Sequence, residues 1–76
     1  MKPTHVFEVA PSGELWTVTF RDRIAYTVVR HSSKERAVQD GRSAAQASPP
    51  SELVIRRADG TVEERLTYDG PDRRYY

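Results

Sequence analysis

The chain has 76 residues, 12 of them basic and 11 acidic, and its formal net charge is +1. So short a chain can fill one domain at most. It contains no cysteine, which excludes disulfides and thiolate metal sites. The interspersed, nearly balanced charge differs from the basic excess typical of strong nucleic-acid binders. Since the sequence has no apolar run long enough for a signal peptide or a bilayer span, we expect a cytoplasmic protein without membrane contact.

The first half of the chain alternates apolar and polar residues, which predicts strands over 5–10, 15–20 and 24–29. Proline, serine and glycine at 11–14 predict the first turn. We choose the register that keeps one apolar face across the three strands. The expected pairs are Val9 with Trp16, Phe7 with Val18, Phe20 with Ile24, Val18 with Tyr26, and Trp16 with Val28.

One helix is predicted after the third strand. Ser32 and Glu35 fit a capping box, in which the serine accepts from the backbone N–H of the glutamate and the glutamate reaches back. Pro49-Pro50 would end the helix. Small side chains at helical spacing predict a narrow face that lies close to the sheet, with Gly41 retained for close packing. This face contains Ala37, Val38, Gly41, Ala44 and Ala45.

Residues 51–68, SELVIRRADGTVEERLTY, are typical of a β-hairpin. Asp59-Gly60 supplies two residues that tolerate positive φ, as a type I′ turn requires. A two-residue loop there sets up four cross-strand pairs. They are Leu53 with Leu66, Val54 with Arg65, Ile55 with Glu64, and Arg56 with Glu63.

These elements predict an α+β fold of order β-β-β-α-β-β, with one helix on the apolar face of a small antiparallel sheet. We expect a single domain over 1–72 and a flexible tail over 73–76. The predicted core contains Phe7, Val9, Trp16, Val18, Phe20, Ile24, Tyr26, Val28, Val38, Ala45, Leu53, Ile55, Leu66 and Tyr68.

Five short motifs occur in an order that resembles a known family. They are Trp16-Thr17-Val18, Lys34-Glu35-Arg36-Ala37, the strand over 51–55, Asp59-Gly60, and Glu64-Arg65 followed by Tyr68. From Val6 to Asp72 the chain resembles the bacterial domain-of-unknown-function family DUF2188. The resemblance implies a small α+β architecture and no enzymatic activity.

The sequence offers little catalytic chemistry. His5 and His31 are the only histidines, and they lack the spacing of a metal site. Serines lie mainly at turns and helix ends, and the adjacent Glu63 and Glu64 point to opposite faces of a strand. We therefore expect no enzyme activity, no metal and no cofactor.

Nucleic-acid binding is the alternative function, because arginine and aromatic side chains on a sheet can contact phosphates and stack on bases. Two candidate surfaces carry such residues. The smaller consists of Arg21, Arg23 and Arg30, at the opposite end of the sheet from the larger. The larger consists of Arg56, Arg57, Arg65, Arg73, Arg74, Tyr75 and Tyr76.

Acidic residues interleave with these arginines, so we favour a small non-catalytic binding or protein-interaction module. Exposed sheet edges promote pairing with another chain. We therefore expect self-association, with the first or the last strand pairing with its copy across a two-fold axis.

Overall fold

The computed structural model describes residues 5–21 and 26–68. Its elements confirm the α+β class and the β-β-β-α-β-β order. Ile24 and the tail over 73–76 lie outside the described residues. The elements are β1 (His5–Ser12), β2 (Leu15–Arg21), β3 (Tyr26–His31), α1 (Lys34–Ala47), β4 (Ser51–Arg56) and β5 (Val62–Tyr68).

The five strands form one mixed sheet in the order β3-β2-β1-β4-β5. Strands β1 and β4 are parallel, and the other three neighbouring pairs are antiparallel. The prediction of a wholly antiparallel sheet is therefore wrong. Because α1 carries the chain back along the sheet, β4 runs in the same direction as β3 and hence as β1. The first strand is also central, so it cannot be the free edge that we expected.

The β1–β2 turn is centred one residue later than predicted, which shifts the strand register by two residues. Gly13 has a φ of 64°, and Ser12 pairs with Leu15. A positive φ at the first of two central residues is what a type II′ turn requires. Val9 therefore pairs with Val18 rather than with Trp16, and Phe7 pairs with Phe20 rather than with Val18. The shift is even, so the predicted apolar face is kept.

The β2–β3 register differs from the prediction by an odd number, and every side chain of β3 changes face. Val18 pairs with Val29 instead of Tyr26, and Trp16 pairs with His31 instead of Val28. The predicted burial of two residues is therefore wrong: Tyr26 is 68% exposed and Val28 is 37% exposed. Both point away from the helix.

Helix α1 begins one residue later than the predicted capping box. Ser33 is the N-cap, and its hydroxyl accepts from the backbone N–H of Arg36 at 3.2 Å. The predicted box between Ser32 and Glu35 is therefore wrong. At the other end, Ser48 donates its backbone N–H to the Ala45 carbonyl, ahead of the two prolines.

The assignment of Ser33 rather than Ser32 as the N-cap predicts different effects of the two serines on stability. We expect Ser33→Ala to lower the free energy of unfolding by about 1 kcal/mol, because one N–H of the first helical turn loses its partner. Ser32→Ala should change it by less than about 0.5 kcal/mol. Urea denaturation of the two variants checks this, and equal losses would contradict the assignment of Ser33 as the cap.

The core lies between α1 and one face of the sheet. The predicted small helical face is confirmed, since Ala37, Gly41 and Ala45 are buried. A Cβ atom at Gly41 would lie only 3.1 Å from Leu53 Cδ1 and Val9 Cγ2. Close packing therefore explains the glycine. The buried core contains Phe7, Val9, Val18, Ala37, Ala45, Leu53 and Ile55, with Trp16, Phe20, Val38, Ala44, Leu66 and Tyr68 partly buried against it.

A buried serine joins the end of the helix to β4. The Ser51 side chain is fully buried and donates its hydroxyl to the Ala45 carbonyl at 2.6 Å. A buried hydroxyl without a partner is costly, so this bond fixes how α1 leads into β4. The sequence alone did not indicate this role.

The β4–β5 hairpin has three loop residues rather than two. Gly60 donates its N–H to the Arg57 carbonyl at 2.9 Å and has a φ of 92°, whereas Asp59 does not have a positive φ. This is the three-residue loop in which glycine takes the left-handed position, not the predicted type I′ turn. The pairs of Leu53 with Leu66, Val54 with Arg65 and Ile55 with Glu64 are confirmed.

The strands become irregular next to the turn. Arg56 pairs with Val62, not with Glu63 as predicted, because the register shifts after Ile55. Glu63 is then the extra residue of a β-bulge. It forms an ion pair with Lys34 of the helix, and Arg56 pairs with Glu8 instead.

Candidate functional site

The face of the sheet opposite α1, here called the open face, carries the charged candidates. Successive strand residues point to opposite faces of the sheet, so every second residue lies on this face and the residues between them point to the core. No described helix covers it. Val54 is nevertheless only 6% exposed, because it lies at the centre of this face among long side chains. The open face consists of Val6, Glu8, Ala10, Ser12, Leu15, Thr17, Thr19, Arg21, Tyr26, Val28, Arg30, Glu52, Val54, Arg56, Val62, Arg65 and Thr67.

A shallow groove crosses the open face. Its larger part is a depression of about 230 Å³ lined by three arginines, two glutamates and two valines. A smaller depression adjoins it and extends to Tyr26 on β3. The two share Val6, Glu8 and Arg21. We call their combined lining the open-face groove: Val6, Glu8, Thr19, Arg21, Tyr26, Glu52, Val54, Arg56 and Arg65.

Both glutamates of the groove already have arginine partners. Glu8 pairs with Arg56, and Glu52 accepts from Arg65 Nη1 at 2.9 Å. Arg56 also donates to the Gly60 carbonyl at 2.9 Å, which ties the groove to the hairpin loop. With Arg21 added, the formal charge of the groove is three positive against two negative.

The structure brings together two of the arginines predicted from the sequence. Arg56 and Arg65 line the groove, whereas Arg57 donates to Thr61 and to the Val62 carbonyl beside the loop. The expected cluster is thus divided between a face and a turn. Arg73, Arg74, Tyr75 and Tyr76, the remaining members of that cluster, lie outside the described residues.

The structure also brings together two members of the second predicted basic group. Arg21 and Arg30 both lie on the open face, and Arg23 is outside the described residues. Tyr26 pairs with Arg21 across β2 and β3, next to the groove. The predicted β3 register would have buried this tyrosine in the core. Only the correct β3 register could have identified it as a surface residue.

The sheet has two free edges, and they differ in chemistry. The β3 edge exposes three large apolar side chains, at Tyr26, Val28 and Val29. The β5 edge carries the bulge at Glu63 and a second acidic residue, Glu64. Charges and bulges are the usual protection of an edge against pairing. The β3 edge has no bulge, and Arg30 is the one arginine, lysine, aspartate or glutamate among its residues.

One pair of titratable groups lies between the helix and β3. His31 Nε2 and Asp40 Oδ2 are 2.9 Å apart, in a depression that also contains Ser43. No hydrogen bond joins Ser43 to His31 among the described residues, so a serine nucleophile and its base are not assembled there. Residues 5–21 and 26–68 also contain no group of three or more His, Asp or Glu side chains able to hold a metal ion.

Two exposed carboxyl groups near the β4–β5 hairpin have lowered pKa values. Hydrogen bonds from Thr61 lower the pKa of Asp59, and a hydrogen bond from Lys34 lowers the pKa of Glu63. Each contact favours folding when the carboxyl is ionised, and that contribution is lost as the pH falls through the lowered pKa. Both groups lie outside the open-face groove.

Comparison with known proteins identifies the family of the chain but not a ligand or a reaction. Within the described part of the chain, no helix is long and apolar enough to span a membrane. No curated protein and no solved structure matches the chain significantly. The family described as "uncharacterized protein conserved in bacteria (DUF2188)" matches residues 5–68, which include every described element. The chain, whose described residues form one α+β domain, therefore belongs to DUF2188, a family conserved in bacteria.

Proposed function

We propose that this protein is a small, non-catalytic, cytoplasmic interaction module that forms a homodimer through β3. The difference between the two sheet edges carries the proposal. Tyr26, Val28 and Val29 are exposed on β3, and this strand has no proline, lysine or bulge to prevent pairing. On β5, by contrast, the bulge and the glutamates oppose the approach of another strand.

A second copy is the partner that fits this edge. Two β3 strands related by a two-fold axis perpendicular to the sheet would pair antiparallel and join two five-stranded sheets into one. The main-chain groups gain partners, and the exposed valines pack against their copies. A domain of this size gains stability from such association, because its own core is small.

The proposal that the module is non-catalytic is supported by the structural contacts of its polar side chains. Ser33 caps the helix, Ser51 binds a backbone carbonyl, and Glu64 approaches Arg42 of the helix at 4.0 Å. Each has a structural partner. Nucleophilic catalysis needs a nucleophile, a base and an orienting group in contact with one another. The described contacts do not support such an assembly.

A charge on β3 provides the test. We expect the wild-type protein to sediment as a dimer and Val29→Lys to sediment as a monomer, because the lysine would leave water only at a high desolvation cost. Val29 faces the helix side of the sheet and is 44% exposed, so the isolated fold should tolerate the change. Analytical ultracentrifugation at several concentrations measures the result.

The matched control is Val62→Lys on β5, where the valine is 37% exposed. It introduces the same charge at the opposite edge and should leave the dimer intact. A monomeric wild type would contradict the proposed dimer. Dissociation caused by Val62→Lys but not by Val29→Lys would instead place the contact on β5.

A further inference from the structure

We infer that the open-face groove binds single-stranded nucleic acid, with Tyr26 as a platform for a base and Arg21 as a phosphate contact. The site differs from the arginine cluster that the sequence suggested, because its aromatic residue, Tyr26, comes from β3 and its third arginine, Arg21, comes from β2. Both residues belong to one protomer, so the surface exists whether or not β3 pairs with a copy.

The shape of the groove suits an extended chain. It runs from Tyr26 on β3 to Arg65 on β5 and therefore crosses all five strands. Four inter-strand spacings of about 4.8 Å give a track of about 19 Å. Such a track is long enough for a few nucleotides, and its valine floor and arginine walls present apolar and positive groups together.

The charges of the groove favour a phosphate near Arg21. Glu8 and Glu52 are neutralised by Arg56 and Arg65, so the third arginine decides the sign of the local field. Arg30 lies on the same face of β3, four residues along the strand from Tyr26, and adds to the positive side. The excess is small, and we therefore expect weak binding that declines steeply with salt.

Exposed tyrosine next to arginine distinguishes a single strand from a duplex. The Tyr26 side chain is 68% exposed and is the cross-strand partner of Arg21. Aromatic side chains on a sheet stack on bases that are not paired, and this contact tolerates any sequence. A duplex offers only its phosphates to such a flat face. The groove should therefore prefer unpaired oligonucleotides.

Fluorescence anisotropy with a labelled oligothymidylate and a duplex of equal length tests the inference at low salt. We expect single-strand binding to exceed duplex binding, and Tyr26→Ala to weaken it about tenfold, the effect of losing one stacking contact. Tyr26→Phe should bind as the wild type does. Arg21→Ala should reduce the slope of log K against log salt by about 0.7, the value for one phosphate of a single strand.

The control is Arg36→Ala, which removes an exposed arginine from the helix on the other side of the sheet. It should leave affinity and salt slope unchanged. Thermal melting establishes that each variant is folded. No binding by the wild type at low salt, equal binding of duplex and single strand, or equal effects of Arg21→Ala, Tyr26→Ala and Arg36→Ala would each overturn the inference.

Discussion

Leu53→Ala is expected to lower the free energy of unfolding by about 2–5 kcal/mol, enough to unfold much of so small a domain. Leu53 is fully buried on β4, inside the sheet and beneath the helix. Its truncation removes apolar area from the core and leaves a cavity that neighbours on both elements cannot easily fill. Urea or guanidinium denaturation, followed by circular dichroism, measures the loss.

The matched control is Leu15→Ala at the start of β2, where the leucine is 40% exposed. The same atoms are removed there without creating a closed cavity, so the loss should stay below about 1 kcal/mol. A loss at Leu53 no greater than that at Leu15 would show that the core does not lie between β4 and α1.

Gly41→Val is expected to have the second largest effect, a loss of about 1–3 kcal/mol from overpacking. A Cβ atom alone would stand 3.1 Å from side-chain carbons of Leu53 and Val9, and valine adds two further methyl groups. Both neighbours are fully buried and cannot swing into solvent. The small gain in helix propensity from replacing glycine is less than this cost.

Ser43→Val, on the exposed side of the same helix, controls for the introduced valine and should change stability by less than about 0.5 kcal/mol. The double variant Gly41→Val with Leu53→Ala should lose less than the sum of the two single losses, by at least about 0.5 kcal/mol, because alanine makes room for the valine. Additive losses would mean that residues 41 and 53 do not touch.

Some of the fold could be predicted because side-chain pattern determines it. Small residues at helical spacing identified the buried face of α1, and Leu53 opposite Leu66 followed from the alternation of the last hairpin. The β1–β2 register was wrong by two residues, yet its apolar face was right. A turn of different length moves partners, but an even shift leaves every side chain on its own side.

The β3 register could not be read in the same way. Apolar residues occupy both faces of this strand, since Val28 and Val29 are adjacent, and pattern alone does not choose between them. The helix packs mainly on β1, β2 and β4. Burial under the helix therefore does little to determine which face of β3 points toward the core. Tyr26 was consequently assigned to the core, and the aromatic end of the open-face groove was missed.

The mixed sheet and the ion pairs depend on long-range geometry. That β4 joins β1 rather than β3 is decided by where α1 crosses the sheet, which no local signal records. The partner of Arg56 follows from that crossing, because it places Glu8 beside β4. The sequence therefore identified Arg56 but not its partner.

Residue-resolved hydrogen exchange at increasing protein concentration tests most directly whether β3 is the associating edge. An edge strand directs alternate backbone N–H groups outward, where only a second chain can protect them. We predict that the outward amides of Tyr26–His31 exchange more slowly as the concentration rises, while those of Val62–Tyr68 do not change. Slower exchange confined to β5, or exchange on β3 that is independent of concentration, would contradict the account.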